Sequence, residues 1–386
     1  MGSRTSAASA ASGTSAASGT SAASGASGVS GTRGVFDASG VIDVAETAGH
    51  EHVVFCRDDA TGLRAIVAIH DTTLGPALGG TRFRHYASPW DALDDVLRLS
   101  QGMTSKNAAA GLPFGGGKAV IIGDPSAHKT PELLRAYGRF VDSLGGRYVT
   151  AADVGTNSDD LDIVGEETAF VTGRTPARGG SGDSGPDTAR GVFHAMRAAA
   201  ERLWGTPSLA GRAVGVEGAG KVGGVLARLL VDDGATVVVA DPDAAARERV
   251  RAATDGAARV GEALPAGLDV YAPCALGGTV TVHRAQELGA QLVCGAANNQ
   301  LPTPDVDATL HAAGILWVPD YVANAGGVIH LVSGERLGRT PEEVAADVRR
   351  IGETTREVLE RAAADGIPTG AAADALVAAR LAAGRG

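Results

Sequence analysis

The chain has 386 residues, a net charge of −10, 44% hydrophobic content and only 4% aromatic content. That is room for two domains with their own cores, and the acidic balance offers no basic face for nucleic acid. No apolar run reaches the roughly 18 residues that span a bilayer, and three cysteines without a CxxC pair fit a reduced, cytoplasmic setting.

Residues 1–34 repeat a SAASGT unit and, beyond Met1, hold nothing apolar larger than Val29 to bury, so a disordered tail is expected there. It lacks the apolar core of a signal peptide. Beyond it, β-branched runs at 53–56 and 65–69 read as strands. Ser88-Pro89 then opens a helix whose apolar residues Leu93, Val96 and Leu97 recur at helical spacing, with an end expected near Gly102. A strand at 119–122, a helix from Thr130 to Val141 and a strand at 148–150 follow. The Gly/Ser/Pro-rich stretch 175–186 reads as a hinge. After it come a helix at 188–203, a strand at 213–217, a helix at 222–231, and strands at 236–240, 268–272, 291–294 and 315–318. Strands separated by helix-length segments imply an α/β fold with a parallel, doubly wound sheet. Thr340 and Glu343 form a capping box for a long helix running to about Ala363, which is expected to return to the first domain.

Gly218, Gly220 and Gly223 form a GxGxxG turn between a strand and a helix, and Asp241 ends the next strand. Gly218 permits the turn, Gly220 lets the backbone approach a pyrophosphate, and Gly223 lets helix and strand pack closely. The amides at the helix start favour an anion. Asp241 would bond a ribose 2′-hydroxyl and repel a 2′-phosphate, so NAD is expected over NADP, although Arg247 and Arg249 lie within reach.

The cations are thirty arginines and only four lysines, Lys106, Lys118, Lys129 and Lys221, which together make the 34 of the chain. Lys118 follows three glycines and enters an apolar strand. Burial disfavours an ammonium, which makes this residue a candidate general base, a role closed to arginine. Lys106, beside small residues, suits a substrate carboxylate. Lys221 sits inside the glycine turn and should point to solvent, whereas Lys129 has no role legible in the sequence. Asp153 is a turn acid or a site acid. Asn298, Asn299 and Asn324 follow strands and either cap helices or face a ligand. Cys274 and Cys294 read as small core residues, and the nine histidines show no metal-binding spacing, so no metal is expected.

The segments GPALGGTRF (75–83), MTSKNAAAGLPFGGGKAVI (103–121), YVTAADVGT (148–156), APCALGG (272–278), CGAANNQL (294–301) and PDYVANAGGVI (319–329) occur in this order around the glycine turn. In this the chain resembles the NAD-dependent leucine, valine and phenylalanine dehydrogenases of the glutamate dehydrogenase superfamily, over residues 48–380. The resemblance implies that an L-amino acid, NAD⁺ and water give a 2-oxo acid, ammonium and NADH. It further implies that Lys106 holds the substrate carboxylate with help from Asn299, and that Gly79 and Gly80 line the pocket. Lys118 would be the general base and Asp153 its proton-exchange partner. Gly218, Gly220, Lys221, Val222, Gly223, Asp241, Thr188 and Asn299 would bind the cofactor. A substrate and oligomerisation domain at 35–185, joined by the C-terminal segment 341–386, would face a Rossmann domain at 186–340, in a homo-oligomer. Leu78, Ala151, Val328 and Leu331 would line the side-chain pocket. Their apolar character disfavours glutamate, and Val328 favours a branched-chain substrate, with phenylalanine as the alternative. A non-catalytic dinucleotide-binding protein is the remaining class.

Overall fold

Two sheets organise this computed structural model, which describes residues 49–385; the expected disordered tail lies outside the described residues. The first sheet joins β1 (His52–Asp58), β2 (Leu63–Asp71), β3 (Ala77–Arg84), β4 (Gly115–Ile122) and β5 (Tyr148–Ala152) in the order β1-β2-β4-β3-β5. It is mixed rather than parallel: β2 runs antiparallel to both β1 and β4, while β3 runs parallel to β4 and β5. The β1–β2 link spans only residues 59–62, too short for the crossover that a parallel pair requires.

Helix α1 (Pro89–Ala109) starts at Ser88, whose side chain and that of Asp91 make a reciprocal capping box. It does not stop near Gly102 but runs seven residues further, to Ala109. A mid-helix glycine costs only about 1 kcal/mol. The buried face of Leu93, Val96, Leu97, Ala108 and Ala109 outweighs that cost. The helix is seated on β4 through glycine: a Cβ on Gly116 would lie 2.0 Å from the Thr104 hydroxyl. The extension places Lys106 in the last turn. Helix α2 (Pro131–Ser143) covers the sheet with Leu133, Leu134 and Val141.

The second sheet is wholly parallel, in the order β11-β10-β9-β6-β7-β8. Its strands are β6 (Ala213–Glu217), β7 (Thr236–Ala240), β8 (Arg259–Gly261), β9 (Val270–Pro273), β10 (Leu292–Val293) and β11 (Leu316–Trp317). The three-residue β8 carries too little apolar pattern to be read from sequence. Strand order reverses at β6, whose neighbours are β7 and β9, and such switch points form ligand crevices at strand C-termini. Helix α3 (Gly185–Trp204) and helix α4 (Lys221–Asp232) bury Val192, Met196, Leu226 and Leu230 against this sheet.

Between the sheets the hinge stretch holds one 3₁₀ turn, Pro176–Arg178, before α3 begins at Gly185. The return passes through α5 (Gly326–Leu331) and a π-helical turn, Val332–Arg336. Glu335 in that turn accepts hydrogen bonds from Thr172 Oγ1 (2.6 Å), Gly173 N (2.8 Å), Ser181 N (2.8 Å) and Ser181 Oγ (2.5 Å). One carboxylate thus ties both crossings together. The C-terminal segment is two helices, α6 (Pro341–Asp365) and α7 (Thr369–Gly384), broken at Gly366 with φ 64°. Helix α6 packs along α3, and α7 is the element that returns to α1. There Arg380 Nη1 donates to the carbonyls of Ala108 (3.0 Å) and Ala109 (2.6 Å), the helix end that carries Lys106.

Candidate active site

Lys118 lies within β4, flanked by β2 and β3, and is 7% exposed. The glycines before it belong to the strand itself rather than to a loop, and they let α1 and the side chain of Tyr148 close on the sheet. Across β3, at the C-terminus of β5, Asp153 Oδ2 stands 2.6 Å from Lys118 Nζ and 3.3 Å from Arg82 Nε. The buried Lys118 thus has a carboxylate partner directly beside it. Burial alone would raise the Asp153 carboxyl, but the charges of Lys118 and Arg82 and the hydrogen bond from Lys118 outweigh it and hold the group at about 2. Arg82 is itself anchored to Asp95 (2.9 Å), which also receives Tyr86 Oη (2.8 Å) and Arg98 (2.9 Å). The Asp153 carboxylate pairs with Lys118 and Arg82 rather than capping a helix; nothing in its local sequence distinguished the two, because its partners come from β3 and β4.

Lys106, on the last turn of α1, lies near this pair, where α1 meets the segment past β10. Burial lowers its ammonium to about 8; Asp320 opposes that shift, Lys118 adds to it, and Asp153 opposes it weakly. Its Nζ donates to Asn298 Oδ1 at 2.9 Å. The expected helper, Asn299, is not the contact. Its backbone is left-handed, with φ 52°; its carbonyl accepts from Gly278 N, and its side chain lies exposed. Asn298 Oδ1 also accepts from Asn324 Nδ2 (2.9 Å), which reaches the Ala296 carbonyl (3.1 Å) as well. Asn324 is 5% exposed and its Oδ1 has no hydrogen-bond partner, so a buried acceptor remains open beside Lys106. Asp320, which faces Lys106, escaped the sequence reading; burial raises its carboxyl against the pull of Lys106 and of backbone amides. Its one signal was its place just past the C-terminus of β11.

The glycine turn has the geometry a dinucleotide needs. Gly218 has φ 110°, and a Cβ there would meet Ala275 at 2.9 Å. A Cβ on Gly223 would lie 1.9 Å from the Gly218 carbonyl, whereas one on Gly220 would meet nothing within 4 Å. Two glycines thus serve the fold and the third opens onto free space at the start of α4. Asp241 is fixed by Ala219 N on Oδ2 and Asp243 N on Oδ1, both at 2.8 Å. Arg247 is spent on the carbonyls of Asp241 (2.6 Å) and Pro242 (3.1 Å), and Arg249 pairs with Asp243 (3.7 Å). Lys221 points to solvent beside Asp183, 3.5 Å away, and Val222 is half-buried behind it.

Leu78 and Val328 are buried in one apolar cluster with Val149, Val192 and Met196. Leu331 borders Gly173, and Ala151 pairs with Gly80 in the β3–β5 register. A Cβ on Gly80 would lie 2.9 Å from the Cβ of Asp153, and one on Gly79 would strike the Gly117 carbonyl, so Gly79 serves strand packing. Thr188, in the first turn of α3, lies against Gly327. Cys294 is buried, and burial pushes the Cys274 thiol up to about 12, which leaves neither a nucleophile. Among the described residues no group of three His, Cys, Asp or Glu side chains could hold a metal ion, and no helix is long and apolar enough to cross a membrane.

Two family models match the chain: "Glu/Leu/Phe/Val dehydrogenase, dimerisation domain" over residues 50–170 and "Glutamate/Leucine/Phenylalanine/Valine dehydrogenase" over 179–248 and 245–383. The chain is 53% identical to a valine dehydrogenase of Streptomyces virginiae, over 87% of this chain and 95% of that protein. It is 47% identical to a leucine dehydrogenase of Bacillus subtilis, over 87% and 92%. The L-tryptophan dehydrogenase of Nostoc punctiforme superposes with a TM-score of 0.78 at 40% identity, over 90% of this chain and all of that one.

Proposed function

Because the chain belongs to the Glu/Leu/Phe/Val dehydrogenase family, we propose that it catalyses the reversible, NAD-dependent oxidative deamination of a branched-chain L-amino acid. The observation that carries this is the Lys118–Asp153 pair facing Lys106 in one cleft, in a chain about half identical to valine and leucine dehydrogenases. In this reading Lys106, with Asn298 and Asn324 behind it, receives the substrate carboxylate. Lys118, relieved of its proton, takes one from the substrate amine. A nicotinamide cofactor held on the glycine turn supplies the hydride acceptor for the substrate Cα. Lys118 passes that proton to solvent and then draws another from the water that attacks the iminium carbon. It returns this proton to the carbinolamine nitrogen; as the C–N bond breaks, the hydroxyl proton passes through Lys118 to the departing ammonia, leaving ammonium and the 2-oxo acid. Asp153 stays ionised throughout and stabilises each protonated state of Lys118.

Two features support NAD rather than NADP. Asp241 would accept from a ribose hydroxyl and repel a phosphate, and the nearest arginines are engaged elsewhere. The buried Leu78 and Val328, with Leu331, suit an aliphatic side chain and give a distal carboxylate no cation. The same reading divides the chain into a substrate and oligomerisation domain ending near residue 185 and a cofactor domain ending near 340, with α7 rejoining the first, in a homo-oligomer assembled through the first domain. Initial rates of NADH formation from L-valine, L-leucine, L-isoleucine and L-phenylalanine, with NAD⁺ and NADP⁺ in parallel, test the proposal. Higher kcat/KM for valine or leucine with NAD⁺ is expected. A clear phenylalanine preference overturns the pocket reading, and no reduction with any of the four overturns the reaction.

A further inference from the structure

Lys129, the lysine with no role legible in the sequence, stands beside the turn that carries Asp153. That turn, residues 153–156, has no apolar anchor, since Val154 is 60% exposed. It is held by polar contacts alone. Val154 O accepts from Phe83 N (2.8 Å), Thr156 Oγ1 donates to the Thr81 carbonyl (2.8 Å), and Asp153 N donates to Thr156 Oγ1 (2.9 Å). At its apex Gly155 has φ 83°, and a Cβ there would lie 1.9 Å from the Phe83 carbonyl, so the turn sits flush on β3. From the opposite side Lys129 Nζ donates to the Gly155 carbonyl at 3.2 Å and pairs with Asp160 Oδ2 at 2.8 Å. Asp160 is itself fixed, because the same oxygen accepts from Asn157 N (2.9 Å) in the capping box of the helix Ser158–Val164. A tetrahedral ammonium can serve a carbonyl and a carboxylate at once, a geometry the planar guanidinium fork matches less well.

We propose that Lys129 is a positioning residue for the reaction: held by Asp160, it clamps the Gly155 carbonyl and so keeps Asp153 against Lys118. The inference rests on the reading of Lys118 as the base and Asp153 as the carboxylate that steadies it. The charged groups facing Asp153 are Lys118 on β4 and Arg82 on β3, with Lys106 on α1 beyond them; Lys129 touches none of these and acts only through the turn. If the turn loosens, Lys118 loses part of the carboxylate that favours its ammonium. The acid limb of kcat/KM, which reports the base in the free enzyme, then moves to lower pH.

The test compares Lys129→Met, Lys129→Arg and Asp153→Asn in the full-length protein, with kcat, KM for NAD⁺, NADH-binding stoichiometry and the pH profile of kcat/KM for each. Lys129→Met should lower kcat about tenfold, since small misplacements of reacting groups cost up to about 10²-fold. It should shift the acid limb down by about half a pH unit with KM for NAD⁺ and NADH stoichiometry unchanged, and Lys129→Arg, whose fork fits the two acceptors less well, should recover only part of both. An unmoved profile in Lys129→Met overturns the inference, whether kcat is untouched or falls only in step with NADH stoichiometry. A fully active Asp153→Asn instead overturns the reading beneath it, whereas an impaired Asp153→Asn beside an unaffected Lys129→Met sinks the inference alone.

Discussion

The two walls of the cleft are built to different standards. The wall of the first sheet sets Lys118 and Asp153 on either side of β3 in one sheet and braces them with Arg82, Asp95, Tyr86 and the Thr156 hydroxyl. The opposite wall presents Asn298 and Asn324 from segments just past β10 and β11, two-residue strands, and one of its buried acceptors has no partner. Proton transfer demands donor and acceptor within hydrogen-bond reach, so its groups belong on a rigid surface. Groups that grip a ligand can be completed by the ligand itself. In the proposed reading the difference separates proton transfer from cofactor binding, and each wall can be broken on its own.

The largest effect is expected on the braced wall. Asp153→Asn keeps the shape but removes the charge shared by Lys118 and Arg82, and steady-state assay should show kcat lowered by about 10²-fold or more, the range of acid–base contributions. On the opposite wall, Gly220→Val adds bulk at a non-strained φ of −73° with open space around it. Fluorescence titration should give an NADH Kd raised about tenfold or more, about 1.4 kcal/mol, with an unchanged melting temperature. Wild-type affinity there would remove the glycine turn from the cofactor site.

The binding role proposed for Lys106 sets a pH dependence. In that reading its ammonium receives the carboxylate, and burial lowers it to about 8 in the free enzyme. Below that pH it is charged; above it the charge is lost, so KM for a 2-oxo acid in the reductive direction should rise about tenfold per pH unit at the alkaline end. Lys106→Arg keeps its charge throughout and should flatten that rise. A flat wild-type profile contradicts the assignment. The smallest effect is expected for Asn298→Ala, which removes one hydrogen bond to Lys106 and should lower kcat/KM about three- to tenfold while leaving NADH affinity alone.

What the sequence made legible followed the same division. The glycine turn, Asp241 and the strands around them were readable because strand, turn and helix are contiguous and their glycines are dictated by backbone geometry. The lysines stood out by scarcity. Asp153 was ambiguous because the groups that define it, Arg82 and Lys118, lie 71 and 35 residues away and meet it only in the sheet. That Asn298 rather than Asn299 meets Lys106 follows from a loop in which Asn299 is left-handed, which no spacing reveals. The end of α1 was misplaced because Gly102 reads as a stop, while the packing that overrides it comes from β4. Asp320 and the role of Lys129 are likewise products of tertiary contact.

The claim that the first-sheet wall performs the proton transfer is tested most directly by Lys118→Ala, with kcat and NADH Kd measured on the same preparation. The account predicts kcat lower by about 10²-fold or more and an NADH Kd within about twofold of wild type. Turnover that survives the substitution, or NADH binding lost in parallel with it, would contradict the division of labour between the two walls.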